Sequence, residues 1–210
     1  MQGYSPKELL EFIEKSPTCF HVVQSLEEML HSGGFEKLQE SRRWAIEPGG
    51  KYYVTRNGSS IIAFCVPEAI RGFHIMASHS DSPAFKVKEL PEIGVEKKYT
   101  KLNVEGYGGM LMSTWFDRPL SAAGRLLVRD GGRIVSRLVN VDRDLLIIPS
   151  LAMHMNRGVN DGYKFNVQKD LLPLYGDGAV AGTFMEVVAE AAGVAVQAIK
   201  GNALFLFHRV

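Results

Sequence analysis

The chain has 210 residues, 46% of them hydrophobic and 22% charged, and a formal net charge of +1. Such a chain can bury one or two proper cores and is neither disordered nor membrane-spanning in composition, and its near-neutral charge argues against a polyanion-binding surface, so nucleic acid is not an expected partner. No apolar stretch is long enough to cross a bilayer and the start, Met1 to Lys7, has no basic-then-apolar leader, which points to the cytoplasm and to no membrane partner.

Ser5-Pro6-Lys7-Glu8 reads as a capping box with proline at the first helical position, and Leu9, Leu10, Phe12 and Ile13 share one face of a helix running to about Lys15. Thr18 is placed to cap a second helix, in which Val22, Val23, Leu26, Met29 and Leu30 recur at helical spacing until Gly33-Gly34 ends it. His21, one turn into that helix, reads as a satisfied structural residue. Two β-type runs, Lys51 to Thr55 and Ser59 to Val66, are joined by Arg56-Asn57-Gly58, the strongest short-range hairpin signal. Cys19 and Cys65 sit in a helix start and an apolar strand, which suits reduced, buried thiols better than a disulfide framework.

The run from His74 to Pro83 reads as a short apolar strand, Phe73 to Ala77, that ends in a polar His-Ser-Asp turn closed by a proline. In an open α/β sheet the ligand crevice lies at the carboxyl ends of strands, where this turn would sit. Imidazole is the commonest metal ligand, and a carboxylate two residues on can take its other ring N–H and fix the tautomer. His79 is therefore a candidate zinc ligand with Asp81 as its orienting partner. By itself, His-x-Asp is more often a plain polar turn, because a zinc site needs three or four protein ligands.

Phe85 and Val87 alternate with lysines in a strand leading away from that turn. Composition then shifts near Leu90-Pro91-Glu92-Ile93-Gly94 and the chain becomes β-rich: Lys101 to Tyr107, Met110 to Phe116, Gly124 to Arg129, Arg133 to Val141 and Leu145 to Ile148, with Asp130-Gly131-Gly132 as a tight connector. The expected organisation is an α/β layer over residues 1–90, incomplete as a sheet, followed by a barrel-like or sandwich-like β-rich domain over residues 91–210. Gly106-Tyr107-Gly108-Gly109 lacks the lysine and helix start of a phosphate loop and reads as a bulge or turn. Trp115-Phe116-Asp117-Arg118-Pro119 reads as an apolar anchor beside an Asp–Arg ion pair at an interface. Thr183 to Ala192 reads as a helix ending at Gly193, Ala203 to Phe207 as a closing strand, and His208 as incidental. His154, in the buried-looking run Met153-His154-Met155, reads by spacing alone as a structural histidine on a helix or loop.

The run HSDSPAFKVK, His79 to Lys88, resembles the first metal-ligand motif of the aspartyl aminopeptidase and aminopeptidase I family of zinc metallopeptidases. Three further stretches resemble the same family in its order: SPTCFHVV from Ser16, PGGKYYVTRNGSSIIAF from Pro48 and STWFDRPLSAAGR from Ser113. The resemblance implies that residues 1–90 are the amino-terminal part of a catalytic domain and residues 91–210 an inserted dimerisation domain. It further implies a metallo-aminopeptidase that releases amino-terminal residues, acidic ones among them, from peptide substrates. Two zinc ions per complete site, with cobalt or manganese as substitutes, would activate the attacking water. His79 then corresponds to a metal ligand and Asp81 to its partner, while His154 corresponds to a histidine that reaches into a neighbouring subunit's site and contacts substrate. Dimers, and dodecamers of the complete protein, are the implied assemblies.

The family's remaining metal-binding carboxylates, its catalytic glutamate and its last histidine match positions beyond Val210. The resemblance therefore covers an amino-terminal portion, expected to be inactive alone and to bind zinc weakly or not at all, since one imidazole does not retain the ion against water. A non-catalytic dimerisation or assembly module with a vestigial metal half-site is the alternative.

Overall fold

The computed structural model describes residues 5–209, which divide into two compact units at Ser82 and Pro83. The architecture is mixed α and β throughout.

The first unit opens as its capping box dictates. Ser5 Oγ accepts the Glu8 N–H at 3.2 Å, the Glu8 carboxylate accepts the Ser5 N–H at 2.6 Å, and Pro6 begins α1 (Pro6–Lys15). The apolar face of α1 stays in solvent, with Leu9, Leu10 and Ile13 all exposed. In α2 (Cys19–Ser32) the inward face buries Phe20, His21 and Val23, and the helix lies against the sheet. That sheet has β1 (Glu36–Leu38) parallel to β2 (Lys51–Arg56) and β2 antiparallel to β3 (Ser60–Cys65). Asn57 and Gly58 both take positive φ, 53° and 62°, as a tight hairpin with the native strand twist requires. Leu38, Tyr52 and Val54 form a small core between these strands and Phe64.

Two expectations fail here. The stretch Phe73 to Ala77 is not a strand but extended chain, paired with no described residue, and Phe73, Ile75 and Met76 are 85, 84 and 99% exposed. An apolar alternating run becomes a strand only where a neighbour takes up its N–H and C=O groups, and the sheet of this unit stops at β3, where Ile62 also faces solvent. Neither cysteine is in a disulfide, but only Cys19 is half-buried; Cys65 is exposed, because β3 is open on that side.

In the second unit, β4 (Ala84–Val95), β5 (Tyr99–Tyr107), β6 (Leu120–Asp130), β7 (Arg133–Asn140), β8 (Leu174–Asp177) and β9 (Ile199–His208) form one antiparallel sheet in the order β7-β6-β9-β4-β5-β8. The composition shift near residue 90 lies inside β4, at a register irregularity between Val87 and Glu92. Proline is tolerated in a strand at such a bulge, so Pro91 interrupts the pairing without ending the strand, and the structural division falls earlier. Met110 to Phe116 is likewise no strand. Gly108 turns the chain at φ 76°, Met112–Trp115 forms a single 3-10 turn, and Thr114 Oγ1 donates to Leu111 O at 2.7 Å. The turn drives Trp115 into the core, edge-on to Phe85 with ring centres 4.9 Å apart.

The segment Leu145 to Ile148 links β6, next to one end of the sheet, with β8 at the other end. Leu120 on β6 and Leu146 exchange hydrogen bonds of 2.9 and 3.0 Å, and Ile147 does the same with Leu174 on β8 at 3.2 and 2.7 Å. A helix, α4 (Phe184–Ala192), covers the core with Phe184 and Val188 and ends at Gly193 in the left-handed conformation, φ 64° and ψ 39°. Its first N–H finds an acceptor outside the helix, with the Glu92 carboxylate accepting from Phe184 N–H at 2.7 Å and, just before the helix, from Gly182 N–H at 2.5 Å. A short helix, α3 (Val167–Asp170), precedes β8. No helix among the described residues is long and apolar enough to cross a membrane.

Gly124 sits where β6 and β9 approach most closely: a Cβ there would lie 2.1 Å from Ala203 O and 2.9 Å from Leu204 Cα. Both are backbone atoms and cannot swing away. Gly124→Ala should therefore cost at least the upper end of the usual overpacking range, about 3 kcal/mol, seen as a lowered midpoint of denaturant unfolding. An unchanged midpoint would refute the close approach.

Candidate metal-ligand turn and histidine sites

His79 stands on the turn that follows the exposed stretch. Its Nδ1 lies 2.7 Å from the backbone oxygen of Asp81 and 3.3 Å from Asp81 Oδ1. A carbonyl oxygen only accepts, so Nδ1 carries the proton, and the lone pair is left on Nε2. The orienting contact thus comes first from the Asp81 backbone and second from its carboxylate, whereas the sequence pattern suggested the carboxylate alone. Ser80 Oγ donates to Ser59 O at 2.8 Å and ties the turn to the β2–β3 connection. The imidazole remains largely in solvent.

The donor chemistry fits one position of a zinc shell: an imidazole whose Nδ1 is held by the Asp81 backbone, leaving Nε2 as the ligand nitrogen. It does not make a shell, since among the described residues no three His, Cys, Asp or Glu side chains converge closely enough to hold a metal ion. His79 and Asp81 belong to the first unit, and His154 belongs to the second.

His154 occupies an exposed turn, in which the Met155 N–H donates to Ala152 O at 2.8 Å. Met153 and Met155 are exposed beside it, so the Met-His-Met run is not the buried element its composition suggested. The turn presents all three side chains outward, an arrangement suited to contact with another molecule.

Two further histidines, His21 and His208, are packed within their units. His21 is buried and shares a 2.8 Å hydrogen bond with Thr18 Oγ1. That bond takes the Thr18 hydroxyl, which does not cap α2. Burial pushes the His21 pKa down to about 4, so the ring is neutral near neutral pH. His208 packs edge-on to Trp115 with ring centres 4.4 Å apart, and its pKa is lowered by burial and then by the nearby Arg118. The Asp117 carboxylate accepts the Ser150 N–H at 2.8 Å and is held below its ordinary pKa by that contact. It forms no ion pair with Arg118 among the described residues, so Asp117 serves the backbone of the 148–150 segment. The anchoring role of Ser80 was not legible in the sequence, because nothing in the spacing of Ser59 and Ser80 announces their contact.

Solved aminopeptidase structures are similar to this chain. The structure of Chaetomium thermophilum mApe1 matches with a TM-score of 0.87 and 30% identity, covering 96% of this chain and 50% of that one. The S. cerevesiae mApe1 dodecamer matches with a TM-score of 0.79 and 29% identity, covering 96% of this chain and 47% of that one. Among curated relatives, a probable M18 family aminopeptidase 2 of Clostridium novyi is 47% identical over 175 residues, 80% of this chain and 40% of the relative. An aspartyl aminopeptidase of Dictyostelium discoideum is 46% identical over 181 residues, 83% of this chain and 37% of the relative. The sequence model of the aminopeptidase I zinc metalloprotease family, M18, matches residues 12–207, and the chain belongs to that family. It spans half or less of the length of these relatives and solved chains.

The His21 environment sets a pH dependence. Its folded pKa, about 4, lies below the ordinary value of 6.5, so the unfolded chain binds the proton more readily. This contribution to stability is complete above pH 6.5 and is lost as pH falls toward 4. His21→Gln can keep a hydrogen bond to Thr18 without titrating, and should show a smaller loss of stability between pH 6.5 and 4 in denaturant melts. Equal pH slopes for the two proteins would contradict the assignment.

Proposed function

We propose that this chain is the amino-terminal part of a metallo-aminopeptidase that releases amino-terminal residues, acidic ones among them, from peptides. The observation that carries the reading is the His79 turn, whose tautomer-defined imidazole stands within a chain of a zinc metallopeptidase family. When bound, a pair of zinc ions would polarise the scissile carbonyl and lower the pKa of the attacking water. His79 offers Nε2 as one ligand, and Asp81 holds the ring so that this nitrogen faces outward. His154, on its exposed turn, contacts substrate bound by a neighbouring subunit, which makes association part of the function. The dodecameric mApe1 structure supports that element of the proposal. Residues 1–82 are the part of the catalytic domain present here, and the second unit is the dimerisation domain. One imidazole does not hold zinc against water, so the chain by itself is inactive and depends on further ligands.

The test compares the 210-residue chain with the same chain continued by the carboxy-terminal part of the Clostridium novyi relative. The chain alone should contain well below one zinc per molecule and turn over neither aspartyl nor leucyl reporter substrates; the continued protein should do both. In the continued protein His79→Ala should abolish turnover, and Asp81→Asn should weaken metal binding roughly 10–100-fold. His154→Ala should lower turnover at unchanged zinc content. Stoichiometric zinc with turnover in the chain alone would overturn the dependence on further ligands, and a continued protein that binds zinc without turnover would favour an assembly module.

A further inference from the structure

The second unit contains a pocket of about 270 Å³ that the proposed chemistry does not use. One wall is aromatic: Phe116 and Phe165 lie with ring centres 5.1 Å apart, and Tyr163 meets Phe165 edge-on at 5.3 Å. Two lysines line the same pocket, Lys101 from β5 and Lys169 from α3. The carboxylate in the lining, Asp170, accepts on its Oδ2 the Tyr163 hydroxyl at 3.2 Å and the Asn166 N–H at 2.7 Å. Neither lysine forms an ion pair with any described carboxylate.

Two like charges at the edge of an apolar wall repel each other, and an anion set between them relieves both while making charge-assisted hydrogen bonds. The aromatic side gains most from an occupant with apolar surface to bury. The volume lies just under the ~300–1,000 Å³ of typical ligand pockets, so the occupant is of amino-acid size. A free amino acid would set its ammonium group against two lysines, with Asp170 the one carboxylate in the lining.

We propose that this pocket binds a small organic carboxylate with an apolar or aromatic body and no cation beside the carboxylate, as in an N-acylated apolar amino acid. Leu151 and Asn156, which also line it, flank His154, so an occupant orders the turn that carries His154. The site is independent of metal and of peptide hydrolysis and is tested without either.

The probe is N-acetyl-L-phenylalanine, titrated into the 210-residue protein and followed by NMR shifts of the aromatic and lysine signals, with N-acetyl-L-phenylalaninamide, L-phenylalanine and sulfate as comparisons. Saturable binding of the acid is expected, with the neutral amide at least about tenfold weaker, the size of effect a lost charge-assisted contact gives. Phenylalanine and sulfate should bind more weakly than the acid, and Lys169→Met, which keeps the aliphatic stem on an exposed short helix, should weaken the acid and spare the amide. No saturation by the acid, or equal binding of acid and amide to the unaltered protein, would overturn the proposal whether or not the variant folds. Unchanged binding of the acid to a folded Lys101→Met/Lys169→Met protein would overturn it as well.

Discussion

The pairing of β6 with β9 is the contact on which the second unit depends. It runs from Leu120↔His208 to Val128↔Ile199 and places the last strand of the chain at the centre of the sheet, between β6 and β4. Strands that meet over such sequence separations pay their loop-closure entropy before any contact compensates it. The core residues Leu120, Leu126, Leu204 and Leu206 are buried only once both strands are in place. At Gly124 the absence of a side chain lets the backbones come together. The helix α4, Trp115 and the 145–148 segment all pack on the surface this pairing creates.

Asp117 connects that core to the loop that carries His154. It takes a left-handed backbone conformation, φ 56°, which aspartate tolerates better than most residues. In that conformation its N–H donates to Ile148 O at 2.9 Å and its carboxylate accepts from Ser150. One residue thereby fixes the direction in which the chain leaves the sheet toward His154 and the pocket beneath it. Ser150 is itself part of the pocket lining, so the closure of the sheet and the shape of the pocket share a hydrogen bond.

The first unit obeys the opposite logic. Its helices form from local signals, yet α1 buries none of its side chains and β3 has one bare side. Apolar groups on such surfaces are costly in water and are usually covered by protein. The His79 turn follows directly from this open region, held by one hydrogen bond to the β2–β3 connection and by the ring contact with Asp81. The proposed metal ligand at that position has its ring oriented by its own turn, and under that proposal takes its remaining coordination from other groups.

Local physics made much of this molecule legible in advance. The capping box at Ser5, the Asn57-Gly58 and Gly131-Gly132 turns, the helix stop at Gly193 and the β-type runs of β5, β6 and β7 each depend on residues close in sequence. The same holds for His79 and Asp81, two positions apart, and for the four motif stretches that place the chain in its family. The sequence could not show that Phe73 to Ala77 lacks a partner, that Pro91 sits in a bulge within a strand, or that Trp115 turns inward on a 3-10 helix. It also hid the exposure of Met153 to Met155 and the gathering of Lys101 and Lys169 at one pocket. Propensity and periodicity describe what a segment can become alone. Pairing, burial and the convergence of charges distant in sequence are set by which neighbours the tertiary structure supplies.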